Sequence, residues 1–376
     1  MTLWLTLLLL FYFTVPIVFL WAAKHIAWIE KVGVVTLCYI TGIIMGNIPG
    51  VTIPEAFGTE FMGVVVALSI PLLLFSSDFA VWRKLGPVLL LSFFGCVLSA
   101  CIAAAIGTWF FQNALADVWK FAAMLIGVYT GTTANMAAVG MSLGVSNESF
   151  VIVNGAEMLF GGAYLLLLLT IAKPLFAKVL TTKGDHTHHV DFTLDEKFYW
   201  KTSPIALVLS AVILGLAYGF WKLITQDESD EVKKTATMML TITTLGIVGS
   251  AFPRLRNIKG SFGMGNYLMF VFCVSVGSLA DVSKVFGAAP AILGFVVVVL
   301  TLSIGLHCLF CKLFGIDTDA FLISSTAGIQ GAPFIAPVTK AIGNQGLIPV
   351  GIALALLGLA MGNYIGVGIS YLLRLI

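Results

Sequence analysis

The stretch Thr130-Gly131-Thr132-Thr133-Ala134-Asn135, running on to Gly140, interrupts an otherwise apolar span. Its counterpart, Thr326-Ala327-Gly328-Ile329-Gln330-Gly331-Ala332-Pro333, running on to Pro337, does the same in the second half of the chain. A helix in lipid satisfies its own backbone, because hydrocarbon offers no hydrogen-bond partner. Backbone that breaks at membrane depth survives only where protein covers it or where it lines a wet cavity. A pair of interrupted spans at corresponding places in two halves is the usual sequence pointer to a transporter's binding site.

The rest of the chain places these interruptions in a membrane. Hydrophobic residues make up 59% and charged residues 10%, with a mean hydropathy of +1.04, whereas a soluble domain is about 25% charged. Charge-free runs such as Gly86–Ala116, Phe121–Asn147, Val285–Cys311 and Ala341–Leu373 are long enough to cross a bilayer, which takes roughly 20 apolar residues. They do not alternate as barrel strands would. The fold class is therefore all-α: a polytopic transmembrane bundle of about 11 to 13 spans, with the interruptions inside the spans at 120–143 and 319–340. Residues 1–20 lack a basic leading region and a small-x-small cleavage site, so they read as a retained first span. The tryptophans fall near span ends, as interfacial anchors do. A net charge of +2 with no basic patch offers nothing to nucleic acid. Cys308-x-x-Cys311 lies in an apolar helix and reads as small packing residues, not as a redox or metal motif.

The halves resemble each other. Gly42-Ile43-Ile44 recurs as Gly246-Ile247-Val248, Asp78 before Pro87 as Asp281 before Pro290, Thr130 as Thr326, and Gly155 as Gly351, with offsets drifting only from 204 to 196. This order argues for a duplication: a first transmembrane repeat at 1–180, a polar linker at 181–202 and a second repeat at 203–376, each repeat with a broken, crossing helix. The linker carries His186, His188 and His189 among charged residues and reads as a solvated cytoplasmic loop, not a metal site. One difficulty stands. Lys24, Lys31, Arg83 and Lys84 follow the first and third spans, and the linker and Arg254, Arg256 and Lys259 follow the sixth and eighth. Twelve simple crossings put these sets on opposite sides, and an inverted duplication needs an odd number of crossings between equivalent elements. Either the count is off by one or the positive-inside signal is weak here.

The Gly-Thr-Thr-Ala-Asn stretch at 131–135, the Gln330-Gly331-Ala332-Pro333 stretch and the last span through Gly358, Gly362, Asn363 and Tyr364 resemble an uncharacterised bacterial membrane-protein family, that of domain of unknown function 819. In layout the chain is also similar to the bile-acid, arsenite and riboflavin transporter superfamily and the sodium/proton antiporters. The resemblance implies a dimeric, ion-coupled secondary transporter with two broken helices crossing at the membrane middle. The chain departs from the antiporters in having Glu157, and no aspartate pair, in the spans flanking the interruptions.

Breaking a helix exposes amides that favour anions and carbonyls that favour cations. Thr130, Thr132, Thr133 and Asn135 add side-chain oxygens at the first interruption, and Ser325, Thr326 and Gln330 at the second, where Gly331 and Pro333 hold the backbone open. Glu157 is the one acid well inside a span after a break, on one helix face with Asn154; such groups mark ion or substrate paths. Glu157, Asn135 and Thr133 are the candidate Na⁺ ligands, and Asn363 a cavity-lining residue. Asp78 and Asp281 read as helix-end residues beside basic neighbours. Gly140-x-Ser142-x-Gly144 matches a hydrolase elbow but closes a membrane span, which speaks against an enzyme. The expected function is a secondary transporter of a small polar or anionic organic solute such as an amino acid, peptide or carboxylate. It is coupled to Na⁺ or H⁺ by alternating access, in the bacterial inner membrane, as a homodimer among lipids. The alternatives are a monovalent cation/proton antiporter and a non-transporting receptor. No cofactor is expected beyond Na⁺ as coupling ion.

Overall fold

Apolar runs without side chains to satisfy their amides become helices. The computed structural model describes residues 2–26, 29, 33–82, 85–182, 197–199, 201–224, 230–280 and 282–376. The helices that build the bundle are α1 (Thr2–Ala23), α2 (Val34–Gly46), α3 (Glu55–Leu74), α4 (Pro87–Phe111), α5 (Val118–Thr130), α6 (Thr133–Ser142) and α7 (Asn147–Thr170) in the first half. The second half has α8 (Ser203–Ile224), α9 (Glu231–Ser250), α10 (Ser261–Ser278), α11 (Val282–Leu313), α12 (Thr318–Ser325), α13 (Ile335–Ala341) and α14 (Ile348–Leu373). Starts follow capping chemistry: Ser146, Asp230 and Asp317 accept the amides of Ser149, Lys233 and Ala320. Among the described residues eight helices are long and apolar enough to cross a membrane, so the protein is a polytopic helical membrane protein.

The helices pack as two groups. α1, α2, α3, α8, α9 and α10 form one; α4 to α7 and α11 to α14 form the other. In the first group glycines let backbones touch. A Cβ on Gly42 or Gly46 of α2 would collide with the α10 carbonyls of Val274 and Ser278, and one on Gly249 of α9 would sit 2.9 Å from the Phe75 ring beside α3. The two groups meet where α3 and α9 pack on α6, where α9 and α3 also pack on α14, and where α10 packs on α7.

At both interruptions the chain turns back instead of continuing across. Gly127 on α5 faces Asn135 and Val139 on α6, and Met124 packs on Gly140, so α5 and α6 are the arms of a hairpin with its tip at Gly131-Thr132. In the second half α12 runs into a π turn over Thr326–Gln330, in which the Gly331 amide reaches the Thr326 carbonyl at 2.9 Å. Gly331 then takes φ +83°, open to glycine at little cost, and a short 3₁₀ turn leads into α13. The arms close at the base, where Asn344 donates to Asp319 at 3.0 Å and Lys173 bonds both Asp319 and the Ile342 carbonyl. This refines the expected broken crossing helices: among the described residues ten helices run through the bundle, and each interrupted span is a re-entrant pair of arms. Hydropathy cannot separate the two cases, because the 13 residues of α5 and 10 of α6 together match one span.

The hairpins enter from opposite faces. α14 passes between the Ile323 and Ile335 side chains of the second hairpin at Gly351, then touches the first hairpin's tip at Thr130 by Gly358, and its arms at Ala123 and Val139 by Gly366. α7 does the reverse: Phe150 packs on Gly140 of the first hairpin, then Tyr164 bonds Ser325 and Lys173 bonds Asp319 of the second. The face where α1 begins holds the start of α3, through Trp4 on the Thr52 carbonyl, and the base of the first hairpin, where Arg374 stacks on Trp119. The opposite face holds the Asp78–Arg256 ion pair at 2.8 Å, which joins the ends of α3 and α9. Asp78 thus pairs across the halves; Arg83, Lys84, Lys31, Asp281 and the linker histidines lie outside the described residues.

Candidate functional site

The two tips meet inside the bundle. A Cβ on Gly331 would stand 3.6 Å from Thr132 Cγ2 and 3.8 Å from the Gly131 carbonyl oxygen, and one on Gly328 would stand 2.9 Å from the Tyr129 carbonyl oxygen. The flanks of this junction differ. On the α14 side the side chains of Asn135, Asn363 and Thr132 are matched. Asn135 Oδ1 accepts from the Thr132 amide at 3.1 Å, and Nδ2 donates to the Leu359 carbonyl and to Asn363 Oδ1, both at 2.9 Å. Asn363 Nδ2 donates in turn to Thr243 Oγ1 at 2.8 Å, which ties the first hairpin to α9 of the other helical group. With Thr132 Oγ1 accepting the Ala134 amide, this is a capping box at the start of α6.

On the α7 side several polar groups are unmatched among the described residues. Glu157 is 7% exposed, and no hydrogen bond reaches its carboxylate among the described residues. The hydroxyls of Tyr129 at the first tip and Tyr39 on α2 are buried and also have no hydrogen-bond partner among the described residues. Asn154, one turn earlier, donates to Met158 Sδ, but its Oδ1 has no partner among the described residues. Gln330 Nε2 donates to the Gly161 carbonyl at 2.8 Å. A Cβ on Gly161 would lie 2.8 Å from Glu157 Oε1 and 3.8 Å from Gln330 Nε2. A larger residue at 161 would displace the Glu157 carboxylate from its place beside the second tip.

The structure sorts the sequence candidates accordingly. Glu157, Gln330 and Gly331 come together at the tips, with Asn154 one turn before Glu157 on α7. Thr130 is buried beside them with an unpartnered hydroxyl among the described residues. Asn135, Asn363 and Thr132 belong to the matched flank, where both amide hydrogens of Asn135 are occupied, and Thr133 is half-buried as the first residue of α6. Ser325 bonds Tyr164 OH at 2.6 Å, and Thr326 bonds back to the Leu322 carbonyl. Pro333 is exposed. Tyr39, Tyr129 and Tyr164 escaped the sequence reading. Tyr129 was adjacent to the interruption, and Tyr39 precedes the repeated Gly42 by three residues, but a tyrosine in an apolar span carries no distinguishing mark.

An all-helical membrane bundle with this pair of tips is matched over residues 10–376 by the family described as "Protein of unknown function (DUF819)". The chain belongs to that family. It is 24% identical over 376 residues to the "Uncharacterized membrane protein YjcL" of Bacillus subtilis (strain 168), across 92% of either chain. In this DUF819 member a buried carboxylate on α7 lies beside the second tip, with an unpartnered amide oxygen one turn before it and unpartnered buried phenols at Tyr129 and Tyr39 among the described residues. Such a set can hold a cation or a proton away from lipid.

Proposed function

We propose that the protein is a secondary transporter that carries a small organic solute across the membrane, coupled to H⁺ or Na⁺ through Glu157. The observation that carries this reading is the meeting of two re-entrant tips beside an unpartnered buried acid. Non-helical backbone at membrane depth is tolerated where it serves a cavity, and an intramembrane acid marks an ion or substrate path.

The charge pattern supports an inverted duplication. With each interrupted span folded back, either half crosses five times, an odd number. Lys120, Lys222, Lys233, Lys234 and Arg374 lie on the face where α1 begins. Lys24, Lys173, Lys178, Lys197, Lys201, Arg254, Arg256, Lys259, Lys312 and Lys340 lie on the other. The second face is the cytoplasmic one by the positive-inside rule, and the bacterial inner membrane is the natural location. The coupling set moves from the sequence candidates Asn135 and Thr133 to Glu157, Asn154, Tyr39 and Tyr129. Homodimerisation and the absence of enzymatic activity remain parts of the proposal.

Glu157→Gln tests it. In proteoliposomes loaded with a pH-sensitive dye, amino acids, short peptides and carboxylates are offered under a Na⁺ or a proton gradient. The wild type is expected to accumulate a solute with one of the two ions, and the variant, folded to the same melting temperature, to lose that accumulation. Equal gradient-driven uptake by the variant across the working pH range removes Glu157 from the coupling.

A further inference from the structure

A cavity of about 540 Å³ opens on the face where α1 begins, between the two helical groups. Its size falls within the roughly 300–1,000 Å³ of small-molecule sites. The walls come from α3, α9 and α10 on one side and from α6 and α7 on the other, and they carry Met62, Met141, Met238, Met239, Phe150 and Phe272. Four thioethers make a lining that adapts to differing apolar shapes. Phe150 and Phe272 pack edge to face in the wall, with ring centroids 5.5 Å apart at 84°. Along α7, Asn154 and Glu157 follow Phe150 at i+4 and i+7, on the same helix face, about 10 Å further in at 1.5 Å per residue.

The mouth has a sign. Lys234 lines it but is engaged twice, by Glu231 at 3.1 Å and over the Trp221 ring at 5.4 Å. Glu60 also lines it, is exposed, and has neither an ion pair nor a hydrogen bond among the described residues. The unneutralised charge lining the cavity is therefore negative, at the wet end of an apolar chamber walled by methionine and phenylalanine.

We propose that this cavity is the solute entrance and takes an amphipathic cation, an apolar body with an ammonium group. The body fills the methionine-lined chamber, and the ammonium stays at the mouth against Glu60, where it keeps part of its hydration. A carboxylate in the same place would face Glu60 and an already paired Lys234. Burying it deeper would be costly without a partner. The assignment rests on the transporter reading, since it takes the chamber as the antechamber to Glu157.

Calorimetric titration of the detergent-purified full chain tests it with three probes: 2-phenylethylamine, 3-phenylpropionate and ethanolamine. The amine is expected to bind, with the carboxylate and the short amine at least tenfold weaker. Glu60→Gln should weaken the amine at least tenfold, and Glu60→Lys should reverse the preference toward 3-phenylpropionate. The assignment is overturned if 2-phenylethylamine does not bind, if 3-phenylpropionate binds as tightly, or if Glu60→Gln leaves amine affinity within twofold. Those results would leave Glu157-dependent uptake of another solute intact. Amine binding that follows Glu60, in a protein that moves no solute under either gradient, supports the cavity assignment and removes the transporter reading.

Discussion

Asn135 and Thr326 look alike in sequence, each a polar residue at an interruption, yet their side chains do different work. Asn135 holds three partners, the Thr132 amide, the Leu359 carbonyl and Asn363 Oδ1, all in the buried flank of the tips. Replacing it by leucine leaves those groups unmatched, and a buried orphan costs about 1–3 kcal/mol. Asn135→Leu is therefore expected to lose about 2 kcal/mol or more, read as a lower melting temperature in detergent. Thr326→Val removes only a hydroxyl bonded back to its own helix and should stay within about 1 kcal/mol of the wild type. A melting temperature for Asn135→Leu no lower than that of Thr326→Val would refute the assignment. The sequence made the polar cluster legible, along with Glu157. It did not reveal which members were occupied, because the partner of Asn135 lies 228 residues away. Glu157 stood out because an acid in an apolar span is rare, whereas Tyr39 and Tyr129 are ordinary there.

α14 shows the same limit one level up. Gly351, Gly358, Gly362 and Gly366 recur at seven, four and four residues, so they share one helix face. Each meets a different part of the hairpins: Ile323 and Ile335, the Thr130 carbonyl, the Asn135 side chain, and Val139 with the Ala123 carbonyl. The row reads in sequence as close packing, but what it packs against depends on where the interrupted spans go, and their hydropathy suits a kinked crossing as well as two arms. Gly358 makes the closest approach, to the first tip. Gly358→Val forces the tip from α14 and is expected to destabilise by about 1–3 kcal/mol, the usual cost of overpacking, with loss of uptake. Gly368→Ala on the same helix, with open space beside it, should be neutral or slightly stabilising. Equal melting temperatures for the two variants would argue against contact between α14 and the first tip.

Across the whole molecule, folding back both interrupted spans is what reconciles the sequence halves with the charge. Twelve crossings scatter the basic loops over both faces, whereas ten crossings and two hairpins gather most of them on one. The arrangement predicts which loops share a side. Ala116, before α5, and Ser146, after α6, flank the first hairpin on the face where α1 begins, and both are exposed. Lys312, before α12, and Lys340, at the end of α13, flank the second on the opposite face and are exposed too. Single cysteines at these four positions, in a background with the partly exposed Cys101 and Cys308 replaced by serine, can be probed in intact cells with a membrane-impermeant maleimide. Ala116→Cys and Ser146→Cys are expected to label from outside, and Lys312→Cys and Lys340→Cys only after permeabilisation. If instead 116 separates from 146, or 312 from 340, that span crosses and the re-entrant hairpin is wrong. If both pairs stay together but exchange sides, the hairpins stand and the orientation drawn from lysine and arginine is reversed, so that the Glu60 mouth faces the cytoplasm. The labelling therefore separates topology from orientation, two things that the charge pattern alone combines.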